Sequence, residues 1–183
     1  MDVTEVRVDL PTAEATRALG AALVRVLRAG DLVILTGDLG AGKTTFTQGL
    51  GAALHVRGQV ASPTFIVARE HPPLPRPDGT TGPGLVHVDA YRLGGLGELD
   101  ALDLDASLDD SVTVVEWGRG LAETLTDDRL EIELVRPRGL AAAGLDPENA
   151  EAGVRHATLR GVGARWAGVD LRAVVTDPGP GAP

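Results

Sequence analysis

Residues 37–44 read Gly37-Asp38-Leu39-Gly40-Ala41-Gly42-Lys43-Thr44, and the apolar run Leu32-Val33-Ile34-Leu35 leads into them. This is the G-x-x-x-x-G-K-T pattern of a phosphate-binding loop, which works only between a strand and a helix. Its glycines let the backbone curl so that amide N–H groups point inward at phosphate oxygens. Lys43 brings a point charge for β and γ phosphates, and the Thr44 hydroxyl suits Mg²⁺. The start of the following helix adds its positive end. Phe46, Leu50 and Leu54 recur every four residues, which predicts that helix over about Gly42 to Leu54. The expected fold is therefore α/β, with a P-loop core that binds a nucleoside triphosphate.

The rest of the pattern extends this core. A strand is expected over Val6–Leu10, and Pro11-Thr12 reads as a helix start. Ala15, Leu19, Leu23, Val26 and Leu27 form one apolar stripe, with Gly30 placed to end the helix. Further strands are expected at Phe65–Arg69, Leu85–Asp89, Val112–Glu116, Arg129–Val135, Arg155–Arg160 and Val169–Val175. The first half alternates strand and helix, whereas the second is mostly strand. This predicts a mixed sheet, its central parallel strands extended by antiparallel ones, with helices on both faces. A single domain is expected over residues 1–176. Pro72 to Gly84 holds five prolines and reads as a mobile surface loop. Residues 136–152 read as a mobile insertion, and 177–183 as a disordered tail.

Composition narrows the function. The net charge of −9 makes the chain a poor stand-alone nucleic-acid binder, because phosphate contacts dominate that affinity. Aromatic residues are only 3%, which argues against a base-stacking surface. There is no cysteine, so disulfides, cysteine-bound zinc and a thiol nucleophile are excluded. The four histidines, His55, His71, His87 and His156, match no zinc spacing. No run approaches the ~18 apolar residues of a membrane span. Met1 leads into Asp2, Glu5, Arg7 and Asp9 rather than a signal peptide, so a cytoplasmic protein is expected.

A P-loop needs an acidic partner for Mg²⁺, usually at a strand end. Asp89 and Glu116 both qualify, and local sequence does not rank them; either alternatively serves as a turn cap. Thr64, in Ser62-Pro63-Thr64-Phe65, lies about twenty residues past Lys43, a distance that suits a loop sensing the γ-phosphate. A polar turn entering a strand fits the same residues. His87 and Asp89 share a strand face, which suggests either a His–Asp hydrogen bond or a histidine packed in the sheet. Trp117 and Trp166 are expected in the core.

The ordered set Gly37 to Phe46, then Ser62-Pro63-Thr64-Phe65, then His87-Val88-Asp89-Ala90-Tyr91-Arg92-Leu93, then Val115-Glu116-Trp117 resembles the TsaE family. These are bacterial P-loop ATPases of tRNA threonylcarbamoyladenosine synthesis. The resemblance covers about residues 4 to 135. It implies that Asp38, Leu39, Gly40, Ala41, Gly42, Lys43, Thr44 and Thr45 wrap the phosphates of ATP. It implies Thr44 and Glu116 as the Mg²⁺ ligands, Asp89 and Lys43 beside the γ-phosphate, and Thr64 in a switch-like segment. Tyr91 and Arg92 would lie where a partner makes contact. The implied partners are TsaD and TsaB, with tRNA reached only through that complex, where the adenosine beside the anticodon is modified. One departure is that Gly118-Arg119 follows Glu116-Trp117, where the family usually has an acidic residue.

Two rivals use the same loop. A small-molecule kinase commonly carries an arginine-rich lid, yet Arg76 is the only arginine or lysine between Arg69 and Arg92. A GTPase-type switch protein would read guanine with N-K-x-D, which is absent because Lys43 is the only lysine in the chain.

Overall fold

The computed structural model describes residues 4–62, 67–102, 109–136 and 154–176. Along the chain these form β1 (Thr4–Leu10), α1 (Ala13–Leu23), β2 (Leu32–Thr36), α2 (Lys43–Leu54), β3 (Ala68–His71) and β4 (Gly84–Asp89). Then follow α3 (Leu96–Asp100), β5 (Ser111–Glu116), β6 (Arg129–Val135), β7 (Arg155–Val162) and α4 (Leu171–Thr176). The strands make one seven-stranded sheet in the order β1-β7-β6-β2-β5-β4-β3. Strands β6, β2, β5 and β4 are parallel, while β7, β1 and β3 add antiparallel edges. This is the mixed α/β sheet expected from the sequence.

Burial explains the arrangement. Leu32 to Leu35 of β2 are at most 1% exposed, as a parallel strand covered on both faces requires. Val33 and Leu35 face α1 and α2 with Phe46, Leu50 and Leu54. Leu32 and Ile34 face a smaller core with Val86, Val88, Val115 and Leu99 of α3. Strand β6 instead alternates: Leu130, Ile132 and Leu134 are buried, while Glu131 and Glu133 turn to the opposite face. That outer face of β1, β7 and β6 is charged, with Arg129–Glu131 at 2.8 Å and Arg160–Glu5 at 3.0 Å.

The first helix starts as expected, with Thr12 Oγ1 accepting the Ala15 N–H at 3.1 Å. It ends earlier than Gly30, at Leu23. The stripe continues through turns in which Leu27 N–H donates to Leu23 O at 3.0 Å. Helices α1 and α2 pack backbone to backbone through Gly20 and Gly49. A Cβ on Gly20 would fall on the Phe46 carbonyl oxygen, and one on Gly49 on that of Arg17.

Two expected elements differ. The strand expected over Val169–Val175 is the helix α4. Asp170 Oδ1 accepts the Ala173 N–H at 3.0 Å, and Leu171 and Val174, three residues apart, turn inward. A capped start and a three-residue period here outweigh the β preference of the valines. Strand β3 begins at Ala68 rather than Phe65, and residues 63–66 lie outside the described residues. The segment Pro72–Pro83 is a loop, with Gly84 already in β4, and it is tied down at its start by Arg57 N–H to Pro72 O and Leu74 N–H to His55 O, both 2.8 Å. Its tip closes through Thr80, whose N–H and hydroxyl donate to Asp78 Oδ1 at 2.9 and 2.7 Å. The rest of the expected insertion, past Arg136, and the tail 177–183 lie outside the described residues. None of the described helices is long and apolar enough to cross a membrane.

Two stability predictions follow from this packing. Gly49→Ala drives a methyl group into the backbone of α1 and is expected to cost about 1–3 kcal/mol. Gly97→Ala, with open space around its position in α3, is expected to be neutral or stabilising by up to about 1 kcal/mol. Urea melts of both variants check the contrast. The second concerns His71, 3% exposed, whose Nδ1 lies 3.1 Å from the Arg57 carbonyl oxygen. Burial, opposed by that hydrogen bond, holds its pKa below the ordinary 6.5. The unfolded chain therefore takes up the proton first, so the stability His71 contributes is full above pH 6.5 and declines as pH falls below it. Melts at pH 7.5 and pH 5 should show the stability gap between wild type and His71→Asn shrinking at the lower pH.

Candidate functional site

The parallel strands β4 and β5 deliver two of the candidate side chains to one end of the sheet. Beyond the C-terminal end of β2 lies the P-loop. Asp89 and Glu116 end β4 and β5, and the two are register partners. The flanking of β2 by β5 on one side and β6 on the other makes this edge a switch point, where open α/β sheets form their binding crevice.

Helix α2 begins at the loop. Its N-cap is Gly42, with φ at 106°, a conformation that glycine adopts without strain. Gly42 offers no capping side chain, so the first-turn N–H groups face outward at the positive end of a helix over three turns long. Lys43 is 5% exposed. Its Nζ donates to Gly37 O at 2.8 Å and Asp38 O at 3.1 Å, and lies 4.0 Å from the Trp117 ring centroid. Burial pulls the Lys43 pKa below its ordinary value, and the carboxylates of Glu116, Asp89 and Asp38 pull the other way.

Glu116, 3% exposed, is the junction of the site. Its Oε1 accepts the Thr44 hydroxyl at a long 3.4 Å and lies 2.8 Å from His87 Nε2. Of the two readings of His87, the structure shows the histidine packed in the sheet: it is fully buried and reaches across to the neighbouring strand rather than to Asp89. Asp89 instead caps the 3₁₀ turn Ala90–Arg92, its Oδ1 accepting the Tyr91 N–H at 3.0 Å. Thr64 lies outside the described residues. Leu39 stands at the loop tip, 92% exposed.

The structure divides the two tryptophans expected in the core. Trp166 is 1% exposed and packs with α4. Trp117 is half-buried at the site, with φ at 60°, a sparsely populated conformation for a bulky residue. Its ring meets that of Tyr91, itself 69% exposed, at a tilt of 53° with centroids 5.2 Å apart. Trp117 also walls a cavity of about 350 Å³ beside Gly37 and Asp38. Arg119, where an acidic residue was expected, pairs with Glu133 of β6 at 3.3 Å across that cavity. An acidic group therefore does stand beside the loop, supplied from another strand. His87 and Trp117 are the residues that sequence reasoning left out of the site. The signal for Trp117 was its position directly after Glu116; that for His87 required knowing which strand lies beside β4.

Comparison with known proteins agrees with this geometry. Residues 10–140 match the family model described as "Threonylcarbamoyl adenosine biosynthesis protein TsaE". The chain is similar to the tRNA threonylcarbamoyladenosine biosynthesis protein TsaE of Streptomyces coelicolor, 56% identical over 156 residues, 85% of this chain and 96% of that one. Against its namesake from Bacillus subtilis it is 37% identical over 124 residues, 67% of this chain and 73% of that one. Its fold is similar to the crystal structure of YdiB from Bacillus subtilis, with a TM-score of 0.65 and 29% identity, covering 96% of this chain and 97% of that one. With a matched family model spanning most of its length and with the P-loop, Asp89 and Glu116 gathered at one sheet edge, the chain belongs to the TsaE family of threonylcarbamoyl adenosine biosynthesis proteins.

Proposed function

We propose that this protein is a Mg²⁺-dependent ATPase that supports threonylcarbamoylation of the adenosine beside the tRNA anticodon by acting on a TsaB–TsaD partner complex. The observation that supports the reading most is the convergence of Lys43, Thr44 and Glu116 where the P-loop enters α2. Thr44 and Glu116 are hard oxygen donors, two in number, which matches the way Mg²⁺ binds through few protein ligands and the substrate phosphates. When bound, Mg²⁺ supplies charge neutralisation at the β and γ oxygens.

The residues divide the work. Lys43 exchanges its two loop carbonyls for phosphate oxygens, and the N–H groups of Gly42 to Thr45 hold the β-phosphate. Asp89 keeps one oxygen on the Tyr91 N–H and turns the other toward a water beside the γ-phosphate. Water adds to the γ phosphorus as its bond to the β–γ bridging oxygen breaks, leaving ADP and phosphate. The net charge of −9 keeps tRNA away from the isolated chain, so the partner complex holds the RNA. Exposed Leu39 and Tyr91, both at the mouth, offer that complex a surface that can report the nucleotide state.

The expected results are specific. Lys43→Ala should lower ATP hydrolysis by about a hundredfold or more while circular dichroism and melting stay native. Glu116→Ala should abolish the Mg²⁺ dependence of nucleotide binding, whereas Asp89→Ala should spare binding and lower turnover. Titrations with and without Mg²⁺ separate the two; the opposite pattern would exchange their roles. Reconstitution with TsaB and TsaD tests the partnership. Multiple-turnover tRNA modification should require this protein and ATP, and the isolated protein should bind tRNA negligibly at physiological salt.

A further inference from the structure

His87 lies outside the phosphate-binding set, yet it is fully buried and makes the shortest hydrogen bond to Glu116. The bond joins adjacent strands, since β4 and β5 pair in register with His87 opposite Val114 and Asp89 opposite Glu116. Its direction follows from charge. A carboxylate accepts and has no hydrogen to give, so the imidazole donates Nε2–H to Glu116 Oε1. The other ring nitrogen, Nδ1, is buried with no hydrogen-bond partner. A bare lone pair there costs less than a stranded N–H, so burial selects the tautomer that carries its hydrogen on Nε2.

We infer that His87 is a positioning residue: it holds the Glu116 carboxylate in the rotamer that faces Thr44 and so sets the affinity for the Mg²⁺–nucleotide complex. This rests on the reading of Glu116 as a metal ligand. The physical need is clear. Thr44 is a weak restraint on Glu116 at 3.4 Å, and a carboxylate free to rotate would lose its aim at the first turn of α2. Groups that orient metal-binding side chains in this way change metal affinity about 10–100-fold when removed.

The test uses nucleotide titrations with and without Mg²⁺ on the full chain. His87→Gln can place an amide N–H near the Nε2 position, while His87→Asn places one near Nδ1. Expected is a loss of about tenfold or more in the Mg²⁺-dependent part of the affinity for His87→Asn, with Mg²⁺-free binding unchanged and His87→Gln close to wild type. Equal Mg²⁺ dependence in wild type and His87→Asn overturns the inference. Glu116→Ala run alongside separates the two readings. If it keeps the Mg²⁺ dependence, the metal assignment itself fails. If it loses the dependence and His87→Asn keeps it, only the role of His87 fails. Nitrogen NMR of the wild-type ring, assigned with the His87→Gln spectrum, stands even where His87→Asn does not fold. An Nε2–H tautomer whose resonances move on adding Mg²⁺ to the nucleotide-bound protein supports the role. An Nδ1–H tautomer, or resonances indifferent to Mg²⁺, overturns it.

Discussion

Everything at the functional edge depends on the burial of β2. Its four apolar residues are sealed on both faces, so the strand cannot shift along its neighbours without dragging polar groups into one core or the other. Because β2 lies between β5 and β6, its register fixes the heights of Glu116 and Glu133 relative to the loop that follows. Helix α2 is held from the other side by the glycine contacts with α1. The loop between strand and helix thus has both ends anchored, and it curls without contributing much packing of its own.

Charge is concentrated where that rigidity is greatest. Lys43, Glu116 and His87 are all buried there, with Glu116 in contact with His87, whereas the other described ion pairs are mostly at the surface. The buried pair of Arg165 with Asp31 at 2.8 Å is the other interior pair among those described, and it sits at the opposite end of β2, where it ties the 3₁₀ turn Ala164–Trp166 to the sheet. Arg165 and Lys43 illustrate different uses of a desolvated charge. Arg165 is satisfied by Asp31 and by the Val26 carbonyl at 2.6 Å, a closed structural set. Lys43 instead contacts two loop carbonyls and an aromatic face, with the carboxylates of Glu116, Asp89 and Asp38 near enough to favour its charge.

Much of this was legible in the residues. The P-loop pattern with its apolar approach revealed the central strand and the helix that follows it, because that pattern works only between the two. Arg129–Val135 reads as a strand by strict alternation, and the observed β6 has those same bounds. What stayed hidden needed neighbours in space. His87 and Glu116 are 29 residues apart in the chain, and only the β4–β5 register brings them together. Trp117 looked like a core residue because the backbone turn that swings it toward Lys43, a positive φ at a bulky residue, has no local sequence signature. The helix at Leu171–Thr176 was hidden because its valines favour strands and its period shows only over two turns.

The separate fates of the two tryptophans give the molecule an optical consequence. Trp166 is sealed in the core and its environment is set by folding alone. Trp117 has an ammonium 4.0 Å from its ring and the chain's single tyrosine tilted against it. Its indole emission therefore follows the position of Lys43, and a protein with Phe at position 166 carries one tryptophan, already seated at the loop, that needs no attached dye to follow events there.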